Sequence, residues 1–274
     1  MRIARVLTLV LTWSGACVLV TLPADDRPVP FDGAPASAQG RVSVHDGIAY
    51  FTVRSGAEWR IETRVGSGGA WQPGPVLRTS TAPVVVMSPA IDPATNRLVF
   101  ESSLRDPVVA GREDTDVWVL DRADGRWGSA RPLGPPFDSP YNEHAPTVDG
   151  RGTICFNSGR PEGLGDNDIY CGRADAAPQL IRAVSSPDQD AGPWLADGGR
   201  MLLFTSNRPG GQGGWDLYAS TRAADGWRTP ENLGPRVNSP ADELWPTWSD
   251  GRLYFKRTGG TEPPGYFSVP LPLR

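Results

Sequence analysis

Two stretches of the chain carry the same pattern without a gap. Residues 156–172 read FNSGRPEGLGDNDIYCG, and residues 204–220 read FTSNRPGGQGGWDLYAS. They share Phe, Ser, Arg, Pro, two Gly, Asp and Tyr at eight positions. Such self-similarity indicates a fold that is built from copies of one unit.

A proline before a short apolar stretch marks the start of each copy. The anchors Pro89, Pro146, Pro193 and Pro246 are separated by 57, 47 and 53 residues. A step of 47 residues back from the first anchor reaches Val42, in a weaker first copy. The sequence therefore predicts five copies.

Every copy has the same internal order. A short apolar strand enters an Asp-Gly or Asp-Pro turn, a second strand ends in Phe, and a loop leads to a third strand. A fourth element opens with Trp in three copies. Four short strands at a period of about 50 residues are typical of a propeller blade. We predict an all-β protein, a β-propeller of five blades with four antiparallel strands each, and six blades as the alternative.

The last copy is too short for four strands, because room for about one strand follows Phe255. Near the N-terminus, residues 30–35 resemble residues 136–140, the segment that leaves a fourth strand. We therefore expect residues 26–34 to supply the outer strand of the last blade and to close the ring, as propeller blades require partners on both faces.

The first residues have the pattern of a secretory signal peptide. Arg2 and Arg5 precede an apolar run over residues 6–22. We predict a signal peptide over residues 1–24, a single propeller domain over residues 25–274, and a periplasmic or secreted location. A lipoprotein anchored through Cys17, or an uncleaved membrane anchor, is the alternative. No second apolar segment is long enough to span a bilayer.

Cys155 and Cys171 lie symmetrically about Gly163, in the middle of the repeated loop. If the flanking strands pair as a hairpin, the two side chains face each other on one surface, and an oxidising compartment favours a disulfide. A register shifted by one residue would instead leave two buried free thiols.

The repeat resembles the PD-type WD40-like repeat of TolB-type propellers, in which P-x-x-x-D-G-x-x-L-x-F-x-S-x-R precedes a Gly-rich loop and D-[IL]-Y. The stretches SGRPEGLGDNDIY and SNRPGGQGGWDLY match this pattern closely, and ESSLRDPVVAGREDTDVW matches it loosely. The resemblance implies a propeller fold, although typical relatives in the Tol system have six blades. It implies little about activity, because such propellers serve as docking platforms, as appendages of enzymes and sometimes as enzymes.

Three carboxylates occupy equivalent places in the copies. The positions before the anchors are Gln39, Val86, Glu143, Asp190 and Glu243. Because first strands line the channel of a propeller, we expect these positions to converge on one mouth, with His144 and Trp245 beside them. This ring would bind a cation or the basic or sugar-like groups of a ligand. Alternatively, each acid caps its neighbouring loop or pairs with an arginine of the next blade.

The repeated loops favour structural roles. No Gly-Lys-Ser/Thr follows their glycines, so a phosphate site is not expected. We expect Arg160 and Arg208 to pair with Asp168 and Asp216 inside each hairpin, and Asp116 to be their counterpart in an earlier copy. Residues 166–168 lack the further ligands of a calcium loop. No metal or cofactor is predicted.

Catalytic motifs are absent from the sequence, which has only two histidines, His45 and His144. The net charge is −4 and no basic stripe stands out, which argues against nucleic acid as a partner. We therefore predict a monomeric, non-enzymatic platform for an envelope protein or peptide. A glycan or lactone hydrolase that uses the acidic mouth is the alternative, and a purely structural envelope protein is a third.

Overall fold

Five antiparallel sheets build the ring, and they are numbered here as blades 1 to 5 in the order of their first strands. The computed structural model describes residues 7–9, 20–22, 27–67, 70–77, 85–92, 94–95, 97–104, 114–173, 175–261 and 263–272.

In blades 1 to 4 the strands run in sequence order from the inside of the ring outwards, and in blade 5 the outer strand comes instead from the N-terminal segment. The inner strands are Ala38–His45, Val86–Asp92, His144–Val148, Asp190–Ala196 and Asp242–Ser249. The second strands are Ile48–Ser55, Arg97–Ser102, Thr153–Ser158, Met201–Ser206 and Arg252–Thr258. The third strands are Glu58–Ser67, Asp116–Ala123, Asp168–Arg173, Asp216–Ala223 and Gly265–Pro270.

The outer strands differ between blades. In blades 1, 3 and 5 they are Ala70–Leu77, Ala176–Leu180 and Val29–Pro30. In blades 2 and 4 the outer strand is split in two, as Arg126–Trp127 with Arg131–Pro132 and as Gly226–Trp227 with Glu231–Asn232. A short 3-10 turn, Asp197–Gly199, joins the first two strands of blade 4.

The inner strands close the ring. Each contacts the inner strands of its two neighbours, and that of blade 5 contacts that of blade 1. The predicted five-bladed propeller is therefore confirmed. Five phenylalanines of the second strands account for much of the packing, since all are fully buried between blades. They are Phe51, Phe100, Phe156, Phe204 and Phe255. Each second strand continues beyond its phenylalanine and does not end there as predicted.

The N-terminal segment fastens the last blade, as predicted. Val29 and Pro30 pair with Ser268 and Phe267 of the third strand of blade 5. Phe31 then inserts between blades, where its ring packs edge-on against Trp71 of blade 1 and Tyr254 of blade 5. Because one residue joins both blades, this segment locks the first blade to the last.

A bulge interrupts each inner strand. The residue at the bulge has positive φ in all five blades, and in four of them it precedes the anchor proline. The five are Gly40, Ser88, Ala145, Gly192 and Trp245. In blade 1 the equivalent of the anchor is therefore Arg41, not Val42 as predicted, and the equivalent of Glu143 is Ala38, not Gln39. The register slipped because blade 1 has no proline to mark the bulge.

The disulfide prediction is confirmed. Cys155 and Cys171 are directly opposed on adjacent strands of blade 3 and are bonded to each other.

Leu7–Leu9 and Val20–Leu22 pair as a short antiparallel ribbon. The other residues of the predicted signal peptide, Cys17 among them, lie outside the described residues. In the parts of the chain that are described, no helix is both long and apolar enough to cross a bilayer.

Candidate functional site

The end of the disc where the inner strands begin is called here the acid end, and the end with the Asp-Gly turns is called the turn end. Glu243 of blade 5 shows how the acids are held. Its carboxylate is fully buried and accepts hydrogen bonds from Ser239, through the backbone N–H at 2.8 Å and Oγ at 2.5 Å. Arg257 Nε lies 2.6 Å from the same carboxylate, and Arg257 Nη2 donates a hydrogen bond to the carbonyl of Val237 at 3.0 Å.

Blade 4 repeats the arrangement with a shorter acid. Asp190 is fully buried and accepts hydrogen bonds from the backbone N–H and Oγ of Ser186, at 2.6 Å and 2.8 Å. Arg208 donates to Asp190 at 2.5 Å and to the carbonyl of Val184 at 2.6 Å.

Blade 3 has the third copy. Glu143 is fully buried, accepts hydrogen bonds from Ser139, and lies 3.0 Å from Arg160, which also donates to the carbonyl of Phe137 at 2.8 Å. Burial raises the pKa of Glu143 to about 8, while the bonds from Ser139 and Arg160 oppose the shift. Burial likewise raises the pKa of Glu243 against the same kinds of bonds.

The arginines of these three units also stack on the core. Arg208 lies over the rings of Phe204 and Tyr218 at 5.2 Å and 5.0 Å. Arg160 stacks in the same way in blade 3, and Arg257 in blade 5. The Phe, Arg and Tyr of the repeated stretch thus form one packed unit around a buried carboxylate.

The aspartates of the repeated loops bind backbone amides rather than the predicted arginines. Asp168 accepts the N–H groups of Leu164 and Gly165 at 2.7 Å and 2.9 Å. Asp216 binds the equivalent loop of blade 4 through two N–H groups. The glycine-rich loops curl back far enough for their own amides to reach the aspartate, which leaves the arginines to the buried acids. Asp116 opens the equivalent strand of blade 2 and is buried.

One arginine among the described residues crosses the channel. Arg41 of blade 1 is fully buried and donates hydrogen bonds to the carbonyls of Pro146 in blade 3 and Pro193 in blade 4, at 2.9 Å and 2.7 Å. Its guanidinium also lies 5.5 Å from the ring centre of Trp194. Burial lowers the pKa of Arg41 to about 9, and the charge of Glu101 opposes the shift. The side chain therefore bridges opposite walls of the channel.

Blades 2 and 3 place an acid and an imidazole at the acid end. The buried carboxylate of Glu101 accepts the N–H of Ala145 at 2.5 Å and lies 3.7 Å from Nδ1 of His144. Thr115 Oγ1 is 3.3 Å from the same nitrogen. Burial lowers the pKa of His144, but Glu101 outweighs it and the net pKa is raised. The His144 side chain keeps 39% of its surface exposed, so it can meet a ligand.

Blade 5 contributes an aromatic and a cation at the same end. Lys256 Nζ lies 5.6 Å from the ring centre of Trp245 and 5.7 Å from that of Tyr266. Both Lys256 and Trp245 are partly exposed. Burial lowers the pKa of Lys256. We call Glu101, His144, Trp245 and Lys256 the mouth cluster. His144 and Trp245 lie just before and at the bulges of their inner strands, and Glu101 and Lys256 directly follow the buried phenylalanines of their second strands.

Sequence reasoning identified two of these four residues. His144 and Trp245 were expected at the mouth, whereas Glu101, Lys256 and the channel residue Arg41 were missed. The available signal was weak: the position of Glu101 and Lys256 holds Thr, Asn and Thr in the other blades. Those three residues are Thr52, Asn157 and Thr205, so the five blades share only a polar side chain at this position.

The turn end has a small cavity of about 180 Å³, to which all five blades contribute. Trp194 and Trp248 line it, and their indole N–H groups donate to the backbone carbonyls of Trp248 and Leu271. Within the described ranges, no three His, Cys, Asp or Glu side chains gather closely enough to hold a metal ion.

Comparison with known proteins supports the fold alone. No family model matches the chain, and no curated protein does. TolB from Acinetobacter baumannii is 11% identical with a TM-score of 0.51, and the match covers 94% of this chain but only 61% of the TolB chain. An α-L-arabinofuranosidase from Lactobacillus brevis is 12% identical with a TM-score of 0.57, covering 85% of this chain and 90% of the other. An exo-β-1,3-galactanase from Clostridium thermocellum is 16% identical with a TM-score of 0.51, covering 90% and 61%.

Proposed function

We propose that this chain is an exported, TolB-like binding protein that docks a protein or peptide partner on the acid end of its disc. The observation that carries the proposal is the state of the three predicted carboxylates. Glu143, Asp190 and Glu243 are fully buried and each is bonded to an arginine. Carboxylates held in this way serve the fold, because their lone pairs are already occupied.

The mouth cluster supplies what a partner would contact. Trp245 gives a large, partly exposed aromatic surface, the side-chain type that most often anchors a protein interface. Lys256 and His144 add donors on opposite sides of the mouth. Arg41 closes the channel beneath them by its bonds to Pro146 and Pro193, which favours a partner that lies on the face over one that threads the ring.

Hydrolysis is the second candidate, and one pair of residues favours it. Glu101 and His144 make a carboxylate–imidazole pair of the kind that performs general acid–base catalysis. A glycosidase needs a second carboxylate across the scissile bond. The described carboxylates of the three acid–arginine units are not free for that role.

Site-specific photo-crosslinking in cells tests the docking proposal. A photoreactive phenylalanine analogue is placed at Gln39 or Tyr141, which are exposed near the acid end, and at Arg151 or Arg200, which are exposed at the turn end. Docking on the acid end predicts a discrete adduct from the first pair alone. Adducts of equal yield from both ends, or none from the acid end, contradict it.

Loss of turnover separates the two candidates. Glu101 is buried beneath His144 and does not itself reach a partner, so if the mouth is a docking surface, Glu101→Gln should leave the crosslinked adduct in place. If the wild type hydrolyses a member of a panel of glycans and lactones and Glu101→Gln does not, the hydrolase candidate is favoured.

A further inference from the structure

A larger recess lies away from the channel, where the N-terminal strand meets blade 5. We call it the seam pocket. Its volume is about 870 Å³, and it is lined by residues 27, 28, 30, 235, 236, 238, 239 and 263–267 together with Arg257. Pockets of this size typically take ligands that bury most of their surface.

The charged side chains among the described lining residues of the seam pocket are all arginines. Those residues include three guanidinium groups, those of Arg27, Arg236 and Arg257, and no carboxylate side chain. Arg257 is held by Glu243 on its inner side. Arg27 is exposed, and Arg236, which also interacts within the protein, is partly exposed, so both guanidinium groups reach solvent at the rim. This arrangement favours an anionic ligand.

Prolines form much of the remaining wall. Five of the lining residues are proline: Pro28, Pro30, Pro235, Pro263 and Pro264. Proline has no backbone N–H but keeps its carbonyl oxygen, so these walls offer apolar rings and hydrogen-bond acceptors. A matching ligand therefore combines carboxylates with N–H donors and apolar groups.

The other polar and aromatic groups of the lining are engaged within the fold. Asn238 exchanges hydrogen bonds with the backbone of Leu217, and Tyr266 donates its hydroxyl to the carbonyl of Gly40 at 2.9 Å. Tyr266 and Phe267 are each only 7% exposed. The pocket thus lacks, among its described residues, the open aromatic face on which a sugar ring would stack.

We propose that the seam pocket binds an acidic peptide segment in extended conformation. Acidic side chains of the peptide pair with Arg27 and Arg236, its backbone N–H groups donate to wall carbonyls, and its apolar side chains cover the proline rings. This site shares no residue with the mouth cluster, although Tyr266 of its wall lies next to Lys256, and it does not depend on the docking proposal for the acid end.

Fluorescence polarisation with a labelled hexapeptide of alternating Glu and Val residues tests the proposal. The matched peptide has Gln in place of Glu. We expect saturable binding of the Glu peptide, weakened about tenfold or more in Arg27→Gln/Arg236→Gln, because each lost charge-assisted bond contributes about as much as a tenfold change in affinity. The Gln peptide should bind about tenfold more weakly than the Glu peptide.

The control variant is Arg126→Gln/Arg182→Gln, which removes two exposed arginines from blades 2 and 3. It should change the affinity by less than about twofold. Equal weakening in both double variants would show non-specific charge attraction and overturn the proposal. The proposal would also be overturned if an oligogalacturonate bound more strongly than the peptide, or if the peptide showed no binding at about 1 mM. Acid-end crosslinking should be unchanged in Arg27→Gln/Arg236→Gln, which keeps the two proposals distinguishable.

Discussion

Arg41 donates a hydrogen bond of 2.7 Å to the carbonyl oxygen of Pro193, which lies 152 positions later in the chain. The same guanidinium reaches Pro146. The ring is thus braced across its centre by one side chain, in addition to the contacts between neighbouring blades.

Replacing Arg41 should destabilise the protein. Arg41→Ala leaves two buried carbonyls without donors and opens a cavity, so we expect a loss of about 3 kcal/mol in the free energy of unfolding, measured in urea. Arg41→Lys keeps the charge but not the forked geometry, and an intermediate loss is expected. Arg54→Ala, at an exposed arginine, is the control. An Arg41→Ala protein as stable as the wild type would show that the brace is not needed.

The N-terminal fastener can be tested at Phe31. Its ring packs against Phe51, Trp71 and Tyr254, so Phe31→Ala should cost about 3 kcal/mol. Amide exchange in Gly265–Pro270 should accelerate with it, because the adjacent strand loses its anchor. Val29→Ala removes a half-exposed side chain of the same strand and should have a small effect. Unchanged exchange in Phe31→Ala would contradict this role.

The disulfide should stabilise blade 3. Cys155 and Cys171 are 16 residues apart, and closing a loop of this length in the unfolded chain contributes about 3 kcal/mol. Reducing agent should therefore lower the urea midpoint of the wild type and leave the midpoint of Cys155→Ser/Cys171→Ser unchanged. A midpoint equally sensitive to reductant in both proteins would show that the effect arises elsewhere.

The sequence predicted most of the fold because its regular features have local causes. Turn aspartates, anchor prolines and phenylalanines between blades recur wherever the backbone requires them, and these were enough for five blades and for the fastener. The anchor position of blade 1 was assigned to Val42 instead of Arg41, because blade 1 lacks the proline that marks the bulge. Arg160 was assigned to Asp168, whereas its partner is Glu143, which lies 17 positions away, just before the inner strand of the same blade. Side-chain pairing across strands depends on the loop path, which the pattern of residue types does not specify.

Glu143 should give the stability a distinct pH dependence. Its pKa is raised from 4.5 to about 8 in the folded state, so the folded protein binds more protons than the unfolded chain between these values. Its contribution is complete below about pH 4.5 and is lost as the pH rises through about 8. Relative to Glu143→Gln, the wild type should therefore lose stability over this range, measured by urea unfolding at successive pH values. Asp225→Asn, at an exposed carboxylate, is the control, and parallel curves for wild type and Glu143→Gln would contradict the burial effect.

A double-mutant cycle on Glu243 and Arg257 tests most directly whether the buried acids serve the fold. Unfolding free energies are measured at about pH 8 for Glu243→Gln, Arg257→Gln and the double variant. Because each single variant leaves one buried group without its partner, we predict a loss of about 3 kcal/mol in each and a double-variant loss smaller than their sum by about 2 kcal/mol. Glu243→Gln as stable as the wild type or more so, with additive losses, would instead indicate an acid kept for chemistry at the expense of stability.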